Sequence, residues 1–188
     1  MGIFSKLFSS KSKETNKNTS VKNQNQQDES NNEIIIVSPV NGKVKFLADV
    51  SDPVFAEEMT GKGIAVVPNE SEKTVLSPVE GSIKVAFPTG HAYGIATEVG
   101  PELLVHIGLD TVELDGKGFV KKVAVDEKVT YKTELCDIDL KTLKDNDKPT
   151  DIIVIATNDS IVDFEIKIEI ENGAEVKIGD PLYKIVKK

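Results

Sequence analysis

The chain has 188 residues, a formal net charge of −8, 39% hydrophobic and 29% charged residues. That is the size and make-up of one soluble domain with a short appendage, large enough to bury a core without disulfides or metal. A single cysteine, Cys136, excludes an internal disulfide and any site of paired thiolates, and a sequence pI of about 4.9 disfavours nucleic acid as a partner. No apolar run is long enough for a membrane-crossing helix, and Ser5 and Lys6 break the opening Ile3-Phe4 too early for a secretory signal, so cytoplasm is the expected compartment.

Charge is distributed unevenly. Residues 1–22 hold Lys6, Lys11, Lys13, Lys17 and Lys22 against Glu14 alone, so a basic head precedes an acidic body. Within residues 1–11, Ile3, Phe4, Leu7 and Phe8 share one helical face flanked by lysines. Residues 12–33 contain only Val21 to bury and read as a disordered polar linker. A short basic amphipathic segment on a tether is expected to touch anionic membrane weakly; the plainer alternative is a disordered start. Lys6 stands where a myristoylation signal needs Ser or Thr.

From residue 34 onward the texture is that of strands. The β-rich runs are 34–37, 44–47, 64–67, 83–87, 103–107, 152–155 and 161–170. Turn residues separate them at Asn41-Gly42, Glu80-Gly81, Asp115-Gly116, Asn172-Gly173 and Gly179-Asp180, and Asn-Gly is a hairpin signal. In the last run Val162, Phe164, Ile166, Ile168 and Ile170 alternate with charged residues, which predicts one half-buried antiparallel strand. A helical period is hard to find; one short helix is predicted over 139–144.

The chain also repeats itself. Residues 37–45 (VSPVNGKVK) match residues 76–84 (LSPVEGSIK), and more weakly residues 129–135 match residues 176–182. The stronger pair repeats a unit of strand, proline turn, glycine hairpin and strand. Two such units packed together predict an all-β antiparallel sandwich with quasi-symmetry.

Chemistry is expected in few places. Gly61-Lys62-Gly63 lacks the third glycine and following helix of a phosphate loop, and no serine sits in a nucleophile elbow. The only histidines are His91 and His106. His106 lies inside an apolar strand, where a lone histidine is more often structural. If Val99 to Pro101 is a hairpin bend, however, the two imidazoles meet across the ladder. Two imidazoles make a poor zinc cage, but one can act as a nucleophile while the other hydrogen-bonds the group it carries.

Several motifs occur in order: Ser38-Pro39-Val40-x-Gly42; Asp52-Pro53-Val54-Phe55-Ala56; Gly61-Lys62-Gly63-Ile64-Ala65-Val66-x-Pro68; Ser77-Pro78-Val79-Glu80-Gly81; Thr89-Gly90-His91-Ala92-Tyr93-Gly94; and residues 105–114, VHIGLDTVEL. With these, residues 34–188 resemble the glucose-family enzyme IIA of the bacterial phosphoenolpyruvate-dependent sugar phosphotransferase system. The start MGIFSKLFSSK resembles the lead of its free-standing members. The resemblance implies a duplicated hybrid motif, also called a barrel-sandwich hybrid. It implies a phosphocarrier in which His106 takes a phosphoryl group from the carrier HPr and passes it to the IIB domain of a sugar permease. His91 would hydrogen-bond the phosphoryl group and Thr89 would orient His91. The Gly108 carbonyl would fix the His106 tautomer, and Asp110 would be an acidic neighbour. Val54, Phe55 and Phe87 would form the apolar rim on which HPr and IIB dock. Pro88 and Gly90 flank Thr89 where relatives often carry polar residues.

The resemblance implies no required cofactor, although His91, His106 and a partner's carboxylate can share a zinc ion in a regulatory complex. It implies a cytoplasmic protein peripheral to the inner membrane face. The alternative function is a regulator of other proteins, switched by phosphorylation of His106. Two further rivals fare worse. A zinc peptidase needs a His-x-His and a further ligand, and a biotinyl or lipoyl carrier needs a hairpin lysine, for which Gly116-Lys117-Gly118 is the nearest match. The choice of sugar belongs to the permease.

Overall fold

The structure, a computed structural model, describes residues 33–188. The expectations for residues 1–32, the amphipathic segment and most of the linker, lie outside the described residues. Fourteen strands and two short helices follow in the order β1 (Glu33–Val37), β2 (Gly42–Phe46), α1 (Pro53–Ala56), β3 (Gly61–Pro68), β4 (Thr74–Leu76), β5 (Gly81–Ala86), β6 (Ala92–Ala96), β7 (Glu102–Ile107), β8 (Phe119–Lys121), β9 (Lys128–Val129), β10 (Glu134–Ile138), α2 (Leu140–Asp145), β11 (Ile152–Thr157), β12 (Phe164–Lys167), β13 (Glu175–Val176) and β14 (Pro181–Lys187). An eight-stranded sheet has the order β13-β2-β3-β11-β7-β6-β5-β9, and two three-stranded sheets have the orders β1-β14-β12 and β4-β10-β8. All pairings are antiparallel.

One apolar core joins the three sheets. Val44, Ile64, Val66, Val105, Ile152 and Val154 come from the large sheet, and Ile36, Val75, Leu135, Ile138, Leu182 and Ile185 from the small ones. This is the layered sandwich that the alternating patterns predicted. The opposite face of the large sheet is buried in its middle as well, at Ala65, Ala92 and Ile153. A 3-10 turn at Leu47–Asp49 packs on β3 and against α1 on the approach to that face.

The repeat is a structural two-fold. The strand order of the large sheet reads the same from either end once β2 is exchanged with β5, β3 with β6, β11 with β7 and β13 with β9. Hydrogen bonds repeat with it. Val37 N–H donates to Pro78 O at 3.0 Å, and Leu76 N–H to Pro39 O at 3.0 Å. Ser38 and Ser77 donate their hydroxyls to Val40 O and Val79 O, each at 2.7 Å. Val44 N–H meets Ala174 O, and Ile83 N–H meets Glu127 O, each at 2.9 Å.

Local expectations differ from the structure at two points. Gly42 and Gly81 do not tip hairpins: β1 pairs with β14 while β2 pairs with β3, and β4 pairs with β10 while β5 pairs with β6. Each glycine instead lets the chain leave one sheet and enter the other against a neighbouring backbone. A Cβ on Gly42 would stand 2.1 Å from Val67 O. In the expected strand over 161–170, only Phe164–Lys167 forms ladder bonds. It is an edge strand with β14 as its one partner, so pairing stops where the chain bends away. Phe164, Ile166 and Ile170 still turn to the core, while Val162 and Ile168 are exposed. The short helix is found at Leu140–Asp145, capped by Asp139, whose carboxylate accepts from Lys141 N–H and Thr142 N–H.

Gly42→Ala is expected to cost about 1–3 kcal/mol, because two backbones must part to admit one methyl group. Urea denaturation of the full chain measures this; an unchanged midpoint would show that the close approach is not needed.

Candidate functional site

β6 and β7 form the hairpin that brings the two histidines together. Thr97 closes its turn, donating both its N–H (3.0 Å) and its hydroxyl (2.8 Å) to Pro101 O. His106 is the register partner of Ala92, so His91 stands one residue beyond the end of the ladder. The imidazole centroids are 5.2 Å apart, edge to face at 76°. The His91 carbonyl accepts Ile107 N–H at 2.7 Å, which ties the two histidine segments together.

Each ring is held at its Nδ1. His106 Nδ1 lies 2.7 Å from Gly108 O. A carbonyl can only accept, so Nδ1 carries the proton and Nε2 is the basic nitrogen. The carbonyl points back because Gly108 adopts φ +71°, where a Cβ would meet Thr111 Cγ2 at 2.5 Å and Pro149 O at 3.0 Å. Thr111, fully buried, fastens the same turn by donating its hydroxyl to Ile107 O at 2.7 Å. His91 Nδ1 lies 2.6 Å from Thr89 Oγ1, in a turn closed by Gly90 N–H donating to Phe87 O at 2.9 Å.

Two phenyl rings extend the imidazole pair. Phe55 lies 5.2 Å from His106, and Phe87 lies 5.2 Å from His91. Phe55 is delivered by α1, whose start is fixed by Pro53 in its first turn and by Asp52 accepting Val54 N–H at 2.8 Å. That Asp-Pro pair is a legible helix-start signal which the strand-based reading passed over. Phe55 is buried, Phe87 is half-buried, and Val54 is exposed beside Phe55.

The histidines are 2% (His91) and 7% (His106) exposed. Burial pulls both pKa values down. For His106, burial first and the neighbouring His91 second bring it to about 4, opposed by the Gly108 hydrogen bond. Both rings are therefore neutral near pH 7.

The structure thus gathers His91, His106, Thr89, Gly108, Phe55 and Phe87. Asp110 is exposed four residues beyond His106 and opens the 3-10 turn Thr111–Leu114 at φ 53°. Pro88 is exposed and does not keep Thr89 from His91. Lys117 lies in the turn before β8, which pairs with β10, so it does not tip a hairpin of the carrier kind. Thr111 lay within a recognised motif, but its role shows only once Gly108 is seen to need a brace. Among the described residues no three His, Cys, Asp or Glu gather to hold a metal. No helix among them is long and apolar enough to cross a membrane.

Residues 34–162 match the family model described as phosphoenolpyruvate-dependent sugar phosphotransferase system, EIIA 1. A protein of Staphylococcus epidermidis named PTS system glucose-specific EIIA component is 39% identical over 178 residues, covering 95% of each chain. One of the same name from Halalkalibacterium halodurans is 40% identical over 148 residues, covering 79% of this chain and 83% of its own. A Streptococcus pneumoniae PTS system glucose-specific EIICBA component matches over 134 residues at 42% identity, 18% of its length. Among solved structures, glucose permease IIA from Mycoplasma capricolum superposes with a TM-score of 0.71 at 38% identity, covering 81% of this chain and 95% of the other.

The buried imidazole makes stability depend on pH. The unfolded His106 ring takes up a proton near its ordinary pKa of about 6.5, whereas the folded ring does so only near 4. The unfolded state therefore binds more protons between those values, and stability falls as pH drops through that window. The contribution has a limiting slope of about 1.4 kcal/mol per pH unit. Urea melts from pH 7 to pH 4 are expected to fall more steeply for the wild type than for His106→Gln; parallel profiles would contradict the burial argument.

Proposed function

The chain belongs to the EIIA 1 family of the phosphoenolpyruvate-dependent sugar phosphotransferase system, and from that membership we propose that His106 is the residue that carries the phosphoryl group. It is a phosphotransferase component of sugar uptake, taking phosphate from HPr and giving it to the IIB domain of a glucose-type permease. The observation that supports His106 is its Nδ1 bond to Gly108 O, which presents Nε2 as the nucleophile.

The step balances simply. The Nε2 lone pair of His106 attacks the phosphorus of phospho-HPr, a nitrogen–phosphorus bond forms on His106, and the bond to the HPr histidine breaks. The bonding pair of the broken bond returns to the nitrogen of the HPr histidine, and the His106 proton stays on Nδ1, hydrogen-bonded to the Gly108 carbonyl, throughout. With Thr89 donating to His91 Nδ1, His91 carries its proton on Nε2 and offers it to a phosphoryl oxygen. Neutral rings suit both tasks, because a protonated His106 would have no lone pair to give. Asp110 adds negative charge beside the site for a basic-rimmed partner. Phe55, Phe87 and Val54 form the apolar margin that excludes water while a partner is docked.

The relay belongs on the cytoplasmic side in this reading, and residues 1–11 are assigned weak contact with anionic lipid, on the strength of Lys6, Lys11 and the apolar Ile3, Phe4, Leu7 and Phe8 in their sequence. Deleting residues 1–11 is expected to abolish co-sedimentation with phosphatidylglycerol vesicles at low salt without changing phosphoryl uptake. Equal sedimentation of both chains would remove this assignment. A zinc ion shared in a regulatory complex would take two of its four ligands from His91 and His106 and the rest from the partner.

Phosphoryl uptake from phosphoenolpyruvate, enzyme I and HPr tests the main reading. The wild type should form an acid-labile, base-stable phosphoprotein. His106→Ala should form none, and His91→Ala should accept phosphate but donate it poorly. If none of the three is labelled, the relay fails and the alternative stands: a binding protein, to be pursued by pull-down.

A further inference from the structure

Lys45 and Asp151 form an ion pair that the relay described above does not use. Asp151 is 4% exposed, and Lys45 Nζ reaches both of its carboxylate oxygens, at 3.1 and 3.2 Å. The Lys45 side chain is 29% exposed. Lys45 on β2 is the register partner of Ala65 on β3. Ala65 is in turn the partner of Ile153 on β11, and Ile153 of His106 on β7. These residues share one face of the sheet, so the lysine crosses a whole strand, over a fully buried alanine, towards the histidine side. A buried carboxylate is costly unless something holds it, and an apolar pair would stabilise the fold as well or better. Such a pair in this position calls for a specific use.

That use lies in the backbone of Asp151. The ladder between β11 and β7 ends at Ile152 opposite Ile107. Beyond it, the turn carrying Gly108 is held by Asp151 O accepting Gly108 N–H at 2.9 Å and Pro149 O accepting Leu109 N–H at 3.0 Å. Lys148 Nζ bonds Glu113 at 2.5 Å on the far side of the same turn. The bonds form a series: Lys45 to the Asp151 carboxylate, Gly108 N–H to the Asp151 carbonyl, and His106 Nδ1–H to the Gly108 carbonyl.

We propose that Lys45 and Asp151 are a positioning pair: by anchoring the 149–151 strap they hold the Gly108 carbonyl on His106 Nδ1 and so keep Nε2 the reactive nitrogen. The proposal deepens the phosphoryl-carrier reading and rests on it. The two-fold of the fold supplies a comparison. It carries Lys45 onto Lys84 and Asp151 onto Glu102, and Lys84 does exert an attractive pull on Glu102. Glu102 is only half-buried, and the turn its backbone meets, through Ser160 of Asn158–Ser160, follows a strand that carries no histidine. Opposite charges at these positions belong to the duplicated frame; the half that lacks the histidines has bonded and buried them, and its strap reaches across to the Gly108 turn.

The test uses the full chain with Lys45→Met, Asp151→Asn, Lys45→Arg and Lys84→Met. The first readout is the nitrogen-15 spectrum of the His106 ring at pH 7.5, which reports which nitrogen bears the proton and needs no phosphoryl donor. The second is the rate constant and KM for uptake from phospho-HPr. Lys45→Met and Asp151→Asn are expected to show both N–H tautomers and a rate constant lowered about 10-fold or more, with KM little changed. Lys45→Arg should keep wild-type behaviour, and so should Lys84→Met. Asp151→Asn leaves only the part-exposed Lys45 ammonium and no buried carboxylate, so it reads the bond even if Lys45→Met fails to fold. A single Nδ1–H tautomer and a wild-type rate constant in Asp151→Asn would overturn the proposal and leave the pair merely structural. The same loss in Lys84→Met would also overturn it. If wild type takes up no phosphate, the carrier reading falls, while the tautomer spectra still decide the role of the pair.

Discussion

A single backbone carbonyl, that of Gly108, sets the state of the site. It can accept and never donate, so the imidazole 2.7 Å away must place its proton on Nδ1. An unbuttressed ring would divide its population between two tautomers and many orientations. Here one hydrogen bond selects both. The cost falls on the backbone: φ +71° at Gly108, with no room for a Cβ between Thr111 and Pro149. The sequence HIGLDT is what that bond needs, with a residue able to turn left-handed two places after the histidine and a hydroxyl three places further on to fasten the turn.

Burial then does two things. It removes water, which keeps both imidazoles neutral and therefore nucleophilic near pH 7. It also sets them between two phenyl rings, so the reactive nitrogens lie in an apolar row of Phe55, His106, His91 and Phe87. In the proposed relay a phosphoryl group carried there would meet oriented donors and few competing waters, and catalysis of this kind consists mainly of positioning and electrostatics. In the proposed relay the chain exchanges one partner for another, so a docking margin at this site would have to be apolar yet modest. A half-buried Phe87 and an exposed Val54 fit that requirement.

Much of this was legible in the sequence, for identifiable reasons. Alternation of apolar and charged residues gave the faces of β12 correctly but not its length, because ladder bonds at an edge depend on where the partner strand ends. The repeated Ser-Pro-Val-x-Gly revealed the duplication. It misdirected attention to hairpins, since the close approach of Gly42 to the Val67 carbonyl involves a strand more than twenty residues away. The two histidines were placed as neighbours by one turn, Val99 to Pro101, which is local information. Asp151 and Lys45 could not be found that way. They lie on opposite sides of β3 and are far apart in the chain, and each alone looks like an ordinary solvated charge.

The internal two-fold leaves both histidines in one half of the sheet. The exchange of halves carries His106 onto Ile155 and His91 onto Lys62. A frame built twice therefore holds its imidazoles in one half: at the twin positions Ile155 is fully buried and Lys62 is exposed, and neither offers a ring nitrogen. The imidazoles and the phenyl rings beside them are what break the symmetry. The duplicated half serves as a scaffold for the half that carries the histidines.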